Sequence, residues 1–167
     1  LAGLHGAIGA LIMLLAKARQ GDHSAPRVAD VALYESVFMA MESLVPDYAA
    51  YGMVRERTAG NLPGVVPRGA YPCDGGSVMI AGNSSGVFGR LMRAVGRGDL
   101  ADDPELADGD QRFRREAELD DAISSWTSQR RPRDVVAELG AAGVPVGGVY
   151  DAVQVAEDEH YNARGML

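Results

Sequence analysis

The sequence predicts an α+β fold, here a fragment of an α/β protein. Residues 1–54 read as a helix-strand-helix piece, 55–151 as a small α+β domain with a short, mostly antiparallel sheet and several helices, and 152–167 as a tail. Three observations predict this. Asp74-Gly75-Gly76 separates two strand-like runs, as a hairpin requires. Three segments between it and residue 142 carry apolar residues every three or four positions. The opening run is apolar nearly all round, which implies burial on more than one side against something large.

Leu1 to Arg19 reads as that first helix. Gly3, Gly6 and Gly9 leave one stripe almost bare for the close approach of another element, while Lys17 and Arg19 suit the negative end of the helix dipole and Gly21 offers a stop. Gln20 to Arg27 is a short connection. Val28 to Leu33 follows as a strand candidate, then a helix from about Tyr34 to Leu44 that ends before Pro46. A single strand makes no sheet, so its neighbours are expected outside these residues.

Period is lost from Asp47 to Thr58, and Ala59 to Arg68 is a loop punctuated by Gly and Pro. Gly69 to Cys73 and Ser77 to Ala81 are the hairpin strands. Helices are expected over Val87 to Val95, with Phe88, Leu91 and Met92 on one face, over Glu116 to Gln129, with Leu119, Ile123 and Trp126, and over Arg133 to Ala142, stopped by Gly143. Val144 to Tyr150 is a third strand, and Asp151 caps a last helix that ends near His160.

Composition excludes several functions. The net charge is −7, and the fifteen Arg and one Lys are scattered among Asp and Glu, which disfavours nucleic acid as a partner. The same balance repels phosphates. Cys73 is alone, so no internal disulfide forms, and His5, His23 and His160 are too dispersed for a metal site, so no metal ligand is assigned. A reducing cytoplasm is the expected compartment. The first helix, with three glycines and His5, is shorter than the roughly 20 residues of a membrane span and lacks the basic lead-in of a signal peptide, so no membrane is expected.

No residue qualifies as a catalytic group. Cys73 has Asp74 beside it and no His nearby, so a structural thiol is expected. Ser84 and Ser85 lack the setting of a nucleophile elbow and read as helix caps. Gly82 to Gly86, leading into a helix, is a weak anion-binding pattern. His5 reads as a core histidine, and Tyr34 and Tyr71 as packing residues. Asp102-Asp103 and Asp120-Asp121 read as solvated charge. What remains is the loop Gly60 to Pro67, whose glycines permit close backbone approach to a ligand and which serves equally well as a domain linker.

The run from Arg57 to Asn83 resembles the central segment of the family III CoA-transferases, the CaiB/BaiF group. Three further segments agree in order and spacing: Asp30-Val-Ala-Leu-Tyr-Glu-Ser36, Ala141-Ala-Gly-Val-Pro-Val-Gly-Gly-Val-Tyr150 and Ala163-Arg-Gly-Met-Leu167.

The resemblance implies a Rossmann-like large domain built from both ends of a longer polypeptide, a small α+β domain from its middle, and two chains interlocked as a homodimer. On that reading, residues 1–54 are part of the large domain with a linker helix, and 152–167 begin the return to it. Acyl-CoA and carboxylic acids are the implied partners, with coenzyme A a substrate and no prosthetic group. An aspartate nucleophile would form a mixed anhydride and then an aspartyl-CoA thioester, splitting one hard step into easier ones. Its motif has no match here; it is expected upstream of Leu1, as are the groups that grip CoA, so this segment alone should be inactive.

In members resembling formyl-CoA transferase a glycine-rich loop closes over the intermediate. Gly60, Asn61 and Gly64 fit that substrate loop, whereas Leu62, Pro63, Val65 and Val66 replace its flexibility with bulk, which argues against oxalate or formate. An α-methylacyl-CoA racemase of the same family and a non-catalytic interaction domain or truncated gene product remain open as alternatives.

Overall fold

A computed structural model describes residues 1–20, 28–58, 60–61 and 64–166. The chain divides into two compact units, Leu1–Arg57 and Thr58–Leu167.

In the first unit α1 spans Ala2–Gln20, with Lys17 and Arg19 in its last turn. Gly9 lies where a Cβ would meet that of Ala29 at 3.1 Å, so one of the three glycines serves the expected close approach; a Cβ added at Gly3 or Gly6 would meet none of the described residues within 4 Å. The proposed connection and the Gly21 stop fall outside the described residues. No strand forms over 28–33: the chain runs without regular structure to Ala32, and α2 begins at Leu33 and ends at Met39. A strand needs a neighbour to take its backbone hydrogen bonds, and none of the described residues supplies one. Pro46 does not follow a helix but lies inside the first turn of another, α3 (Leu44–Tyr51), where a missing N–H costs no helical bond. Arg55 ties this unit together, donating Nη2 to Asp47 Oδ2 at 2.8 Å and Nη1 to the Met41 carbonyl at 3.3 Å.

The second unit holds the sheet. β1 (Arg68–Cys73) pairs antiparallel with β2 (Gly76–Ala81), Tyr71 opposite Val78 and Cys73 opposite Gly76. The two-residue turn works because Gly75 takes φ +80°, a region closed to most side chains. β3 (Val146–Gly148) pairs with the other side of β2, giving the order β1-β2-β3.

Between β2 and β3 run α4 (Ser85–Ala94), α5 (Gly98–Ala101), a 3₁₀ turn (Pro104–Ala107), α6 (Gly109–Arg114), α7 (Glu116–Thr127) and α8 (Pro132–Ala141). The pieces from Gly98 to Arg114 are too short to show a helical period in sequence. Gly143, at φ +69°, ends α8 as expected. Beyond β3, α9 (Ala152–Glu157) starts with a capping box between Asp151 and Gln154, and a break at Asp158 separates it from α10 (Glu159–Ala163).

One face of the sheet is covered. Tyr71, Val78 and Ile80 point into a core filled by Leu91 and Met92 of α4, Leu119 and Ile123 of α7, and Val135 and Leu139 of α8. Burying each such aliphatic side chain stabilises the fold by about 1.5–3 kcal/mol. Alternation along β1 puts Ala70 and Pro72 on the opposite, exposed face.

Candidate functional site

The described part of the predicted substrate loop is built onto the edge strand. The Thr58 carbonyl accepts the Asn61 N–H at 3.0 Å, and Thr58 Oγ1 returns a bond to the Asn61 carbonyl at 2.7 Å, closing a tight turn. Gly60 lies beside Ala70 and the Met79 methyl, on the exposed face of the sheet. Asn61 reaches the other face: a Cβ built on buried Gly69 would overlap its Oδ1. Adjacent strand residues face opposite ways, so the turn wraps the free edge of β1 and shields its unpaired backbone. Gly64 is exposed at φ +79°, and a Cβ added there would meet none of the described residues within 4 Å. Gly60 and Asn61 thus share one anchorage, and Gly64 stands apart from it.

Beside Asn61 opens a cleft of about 530 Å³, lined by Thr58, Asn61, Phe113, Glu116, Ala117 and Asp120. Its floor is tied to the sheet, because buried Tyr71 donates its hydroxyl to Asp120 Oδ1 at 2.7 Å. Burial and this carboxylate push the Tyr71 phenol well above its ordinary pKa. Glu116, one turn before Asp120, is also raised, by desolvation and then by its neighbour's charge. Reading Asp120 as solvated charge is therefore corrected, and that of Asp103 as well: it caps the 3₁₀ turn through Glu105 N–H and bonds Arg115 at 2.6 Å. The spacing of Glu116 and Asp120 by four was visible in sequence, but only the fold aims both at the cleft.

The far end of the loop is held by a residue that no motif singled out. Arg112 on α6 is 5 % exposed, stacks over Phe88 with 5.2 Å from Cζ to the ring centre, and donates to the carbonyls of Val66, Asn83, Leu106 and Ala107. Four carbonyl dipoles satisfy the buried guanidinium, and desolvation lowers its pKa against the opposing charge of Asp108.

Other expectations are adjusted. Ser84 occupies the N-cap of α4 without a side-chain bond, and Ser85 Oγ instead donates to the Ala107 carbonyl at 3.5 Å, so neither serine caps. Gly82 is glycine because a Cβ would overlap Leu91, a packing reason rather than an anion-binding one. Tyr34 is 74 % exposed and His5 only half-buried, so neither packs in a core among the described residues. Cys73 is a half-buried free thiol whose pKa burial raises. Among the described residues no three His, Cys, Asp or Glu gather as metal ligands. Among the described residues the arrangement packs a turn on the edge of β1 and brings no nucleophile together with a base.

Comparison with known proteins agrees with this architecture. The family model "CoA-transferase family III" matches residues 1–167. Succinyl-CoA--D-citramalate CoA-transferase of Chloroflexus aurantiacus is 38 % identical over 98 % of this chain and 40 % of its own length. The succinyl-CoA--L-malate CoA-transferase alpha subunit of the same organism is 35 % identical over 99 % of this chain and 38 % of its own. The chain thus spans about two fifths of these relatives. The crystal structure of a CaiB/BaiF family protein from Brucella suis superposes with a TM-score of 0.76 at 29 % identity, covering 99 % of this chain and 43 % of that one. A Mycobacterium tuberculosis structure shares the fold at 19 % identity and a TM-score of 0.78, covering 95 % of this chain and 40 % of that one. The chain belongs to the family III CoA-transferases.

Proposed function

We propose that residues 1–167 form part of an enzyme that transfers CoA from succinyl-CoA to a small dicarboxylic acid through an aspartyl-CoA thioester, with the aspartate supplied upstream of Leu1. The observation that carries this is the match to one family along the whole chain, joined to relatives at 31 % identity or more whose names pair succinyl-CoA with citramalate or malate. Both acids are hydroxy dicarboxylates. Gly60, Asn61 and Gly64 form the loop that covers the intermediate, and the groups that hold the CoA phosphates lie outside this acidic segment.

The active form is a cytoplasmic, interlocked homodimer. Support comes from α1, where Leu4, Leu11 and Leu14 are each about two-thirds exposed within the chain. By length and composition α1 could also cross a membrane, but its close approach to Ala29 and its glycine stripe favour packing on protein.

The test uses the complete gene product with succinyl-CoA and a panel of dicarboxylic acids, product thioesters being separated by chromatography. Transfer to malate or citramalate is expected, with none by residues 1–167 alone. Turnover by the short chain would place the nucleophile within it, and epimerisation of a 2-methylacyl-CoA without transfer would replace this reading by a racemase.

A further inference from the structure

We infer that the outer face of α7 is a contact with a second copy of this chain, the two helices lying antiparallel about a two-fold axis. Glu118, Asp121, Ala122 and Ser125 fall three or four residues apart on α7 and share one stripe, distinct from the buried Leu119 and Ile123. With Trp126 and Arg130 they line an open groove of about 740 Å³, whose other wall includes Val95 and Arg97.

Charge along this groove is segregated. From Glu116 to Gln129 the sequence carries four carboxylates and no base, and Arg130, Arg131 and Arg133 follow at once. Glu118 is already bonded by Arg115 at 2.8 Å and lies 3.5 Å from Arg97, whereas exposed Asp121 has no ion pair among the described residues. Arg130 is held in place at the opposite end: its Cζ stacks 4.0 Å from the Trp126 ring centre, and its Nη1 donates to the Trp126 carbonyl at 2.9 Å. Its nearest carboxylate partner among the described residues is Glu138, 3.6 Å from Nε, so Nη2 is left for a further acceptor.

A ligand of one sign would be repelled at one end of such a groove. An inverted copy of the same helix matches both ends at once: Asp121 of each copy meets Arg130 of the other, with the axis beside Ser125, midway between them. Ala122 and Ser125 are small enough to let the helices approach, and Trp126 supplies the aromatic area that such contacts favour. A helix of 12 residues is only about 18 Å long. The contact therefore belongs at the small end of specific interfaces and should be reversible and sensitive to salt. It uses none of the α1 leucines on which the homodimer reading rests, so it doubles whatever assembly those residues form.

Sedimentation velocity of the complete gene product, from about 1 to 100 μM in low salt, tests this without reference to catalysis. The basal assembly should double in mass as concentration rises and return to its basal mass in about 0.5 M salt. Asp121→Arg and Arg130→Glu each set like charges against one another at both contacts, and each should weaken association about tenfold or more. A mixture of these two variants restores opposite charges at both contacts and should recover the doubling, which a contact without crossed pairs would not do. Because Arg130 also stacks on Trp126, Ser125→Arg provides a second variant: it places two cations beside the axis and should abolish doubling while the melting temperature stays within about 2 °C. Absence of doubling in the wild type, its survival in either Asp121→Arg or Ser125→Arg, or a mixture no better than its components overturns the proposal. Where Arg130→Glu does not fold, loss of doubling in both other variants supports it and survival in either overturns it.

Discussion

Tyr71 donates its hydroxyl to Asp120 Oδ1 across 2.7 Å, joining the edge strand of the sheet to the middle of α7 beneath the candidate cleft. Replacing Tyr71 by Phe keeps the ring and removes the donor, leaving Asp120 without this partner. The cost should be about 1.5–3 kcal/mol in urea unfolding, the range for a hydrogen bond to a charged group. The folded phenol has its pKa raised above the unfolded value, so this contribution is present below about pH 10 and is lost as pH rises beyond it. Ultraviolet titration should accordingly find one tyrosine that ionises only with unfolding, and its disappearance in Tyr71→Phe identifies it.

Arg112 is expected to be among the most sensitive positions of the second unit. Truncation to Ala leaves four carbonyls short of a donor and empties the space over Phe88, for a loss of about 3 kcal/mol or more by chemical denaturation. Arg112→Lys should recover only part of it, because a point ammonium lacks the planar fork that reaches Val66 and Asn83 together. Equal stability of the Lys variant would show that charge alone suffices.

Arg115 binds Asp103 at 2.6 Å and Glu118 at 2.8 Å, and both carboxyls have lowered pKa values with that guanidinium as first cause. Depressed folded pKa values mean that the stabilisation is present above the unfolded values, near pH 4, and is lost as pH falls through the folded ones. Arg115→Gln should therefore flatten the acid limb of a melting-temperature profile between about pH 5 and 2. The groups are partly exposed, so molar salt should shrink the difference between the two proteins.

Cys73 should alkylate with iodoacetamide more slowly than free cysteine at pH 8, because burial raises its thiol pKa and lowers the thiolate fraction. Cys73→Ser should leave CoA transfer within about threefold, as expected of a residue held by packing on the sheet rather than by chemistry. A loss of a hundredfold would place the thiol in the active site.

Local chemistry determined the elements that the sequence announces by itself. The Asp74-Gly75 turn sets the register of β1 on β2, the stripes Leu119-Ile123 and Val135-Leu139 choose the buried faces of α7 and α8, Gly143 stops α8, and Asp151 with Gln154 starts α9. Each depends on residues within a turn or two of one another, which is why a linear reading finds them. Tertiary structure decided the rest. Residues 28–33 have strand composition but no partner to pair with, so they stay irregular, and Pro46 opens a helix instead of following one. Asp120 became the acceptor of a buried phenol, Arg112 the clamp of four carbonyls, and Gly69 the notch for Asn61 only because the chain returned to them from 49, 46 and 8 positions away. No period or motif encodes such meetings: they are set by the volume left where strands and helices pack, and that volume exists only once the core has closed.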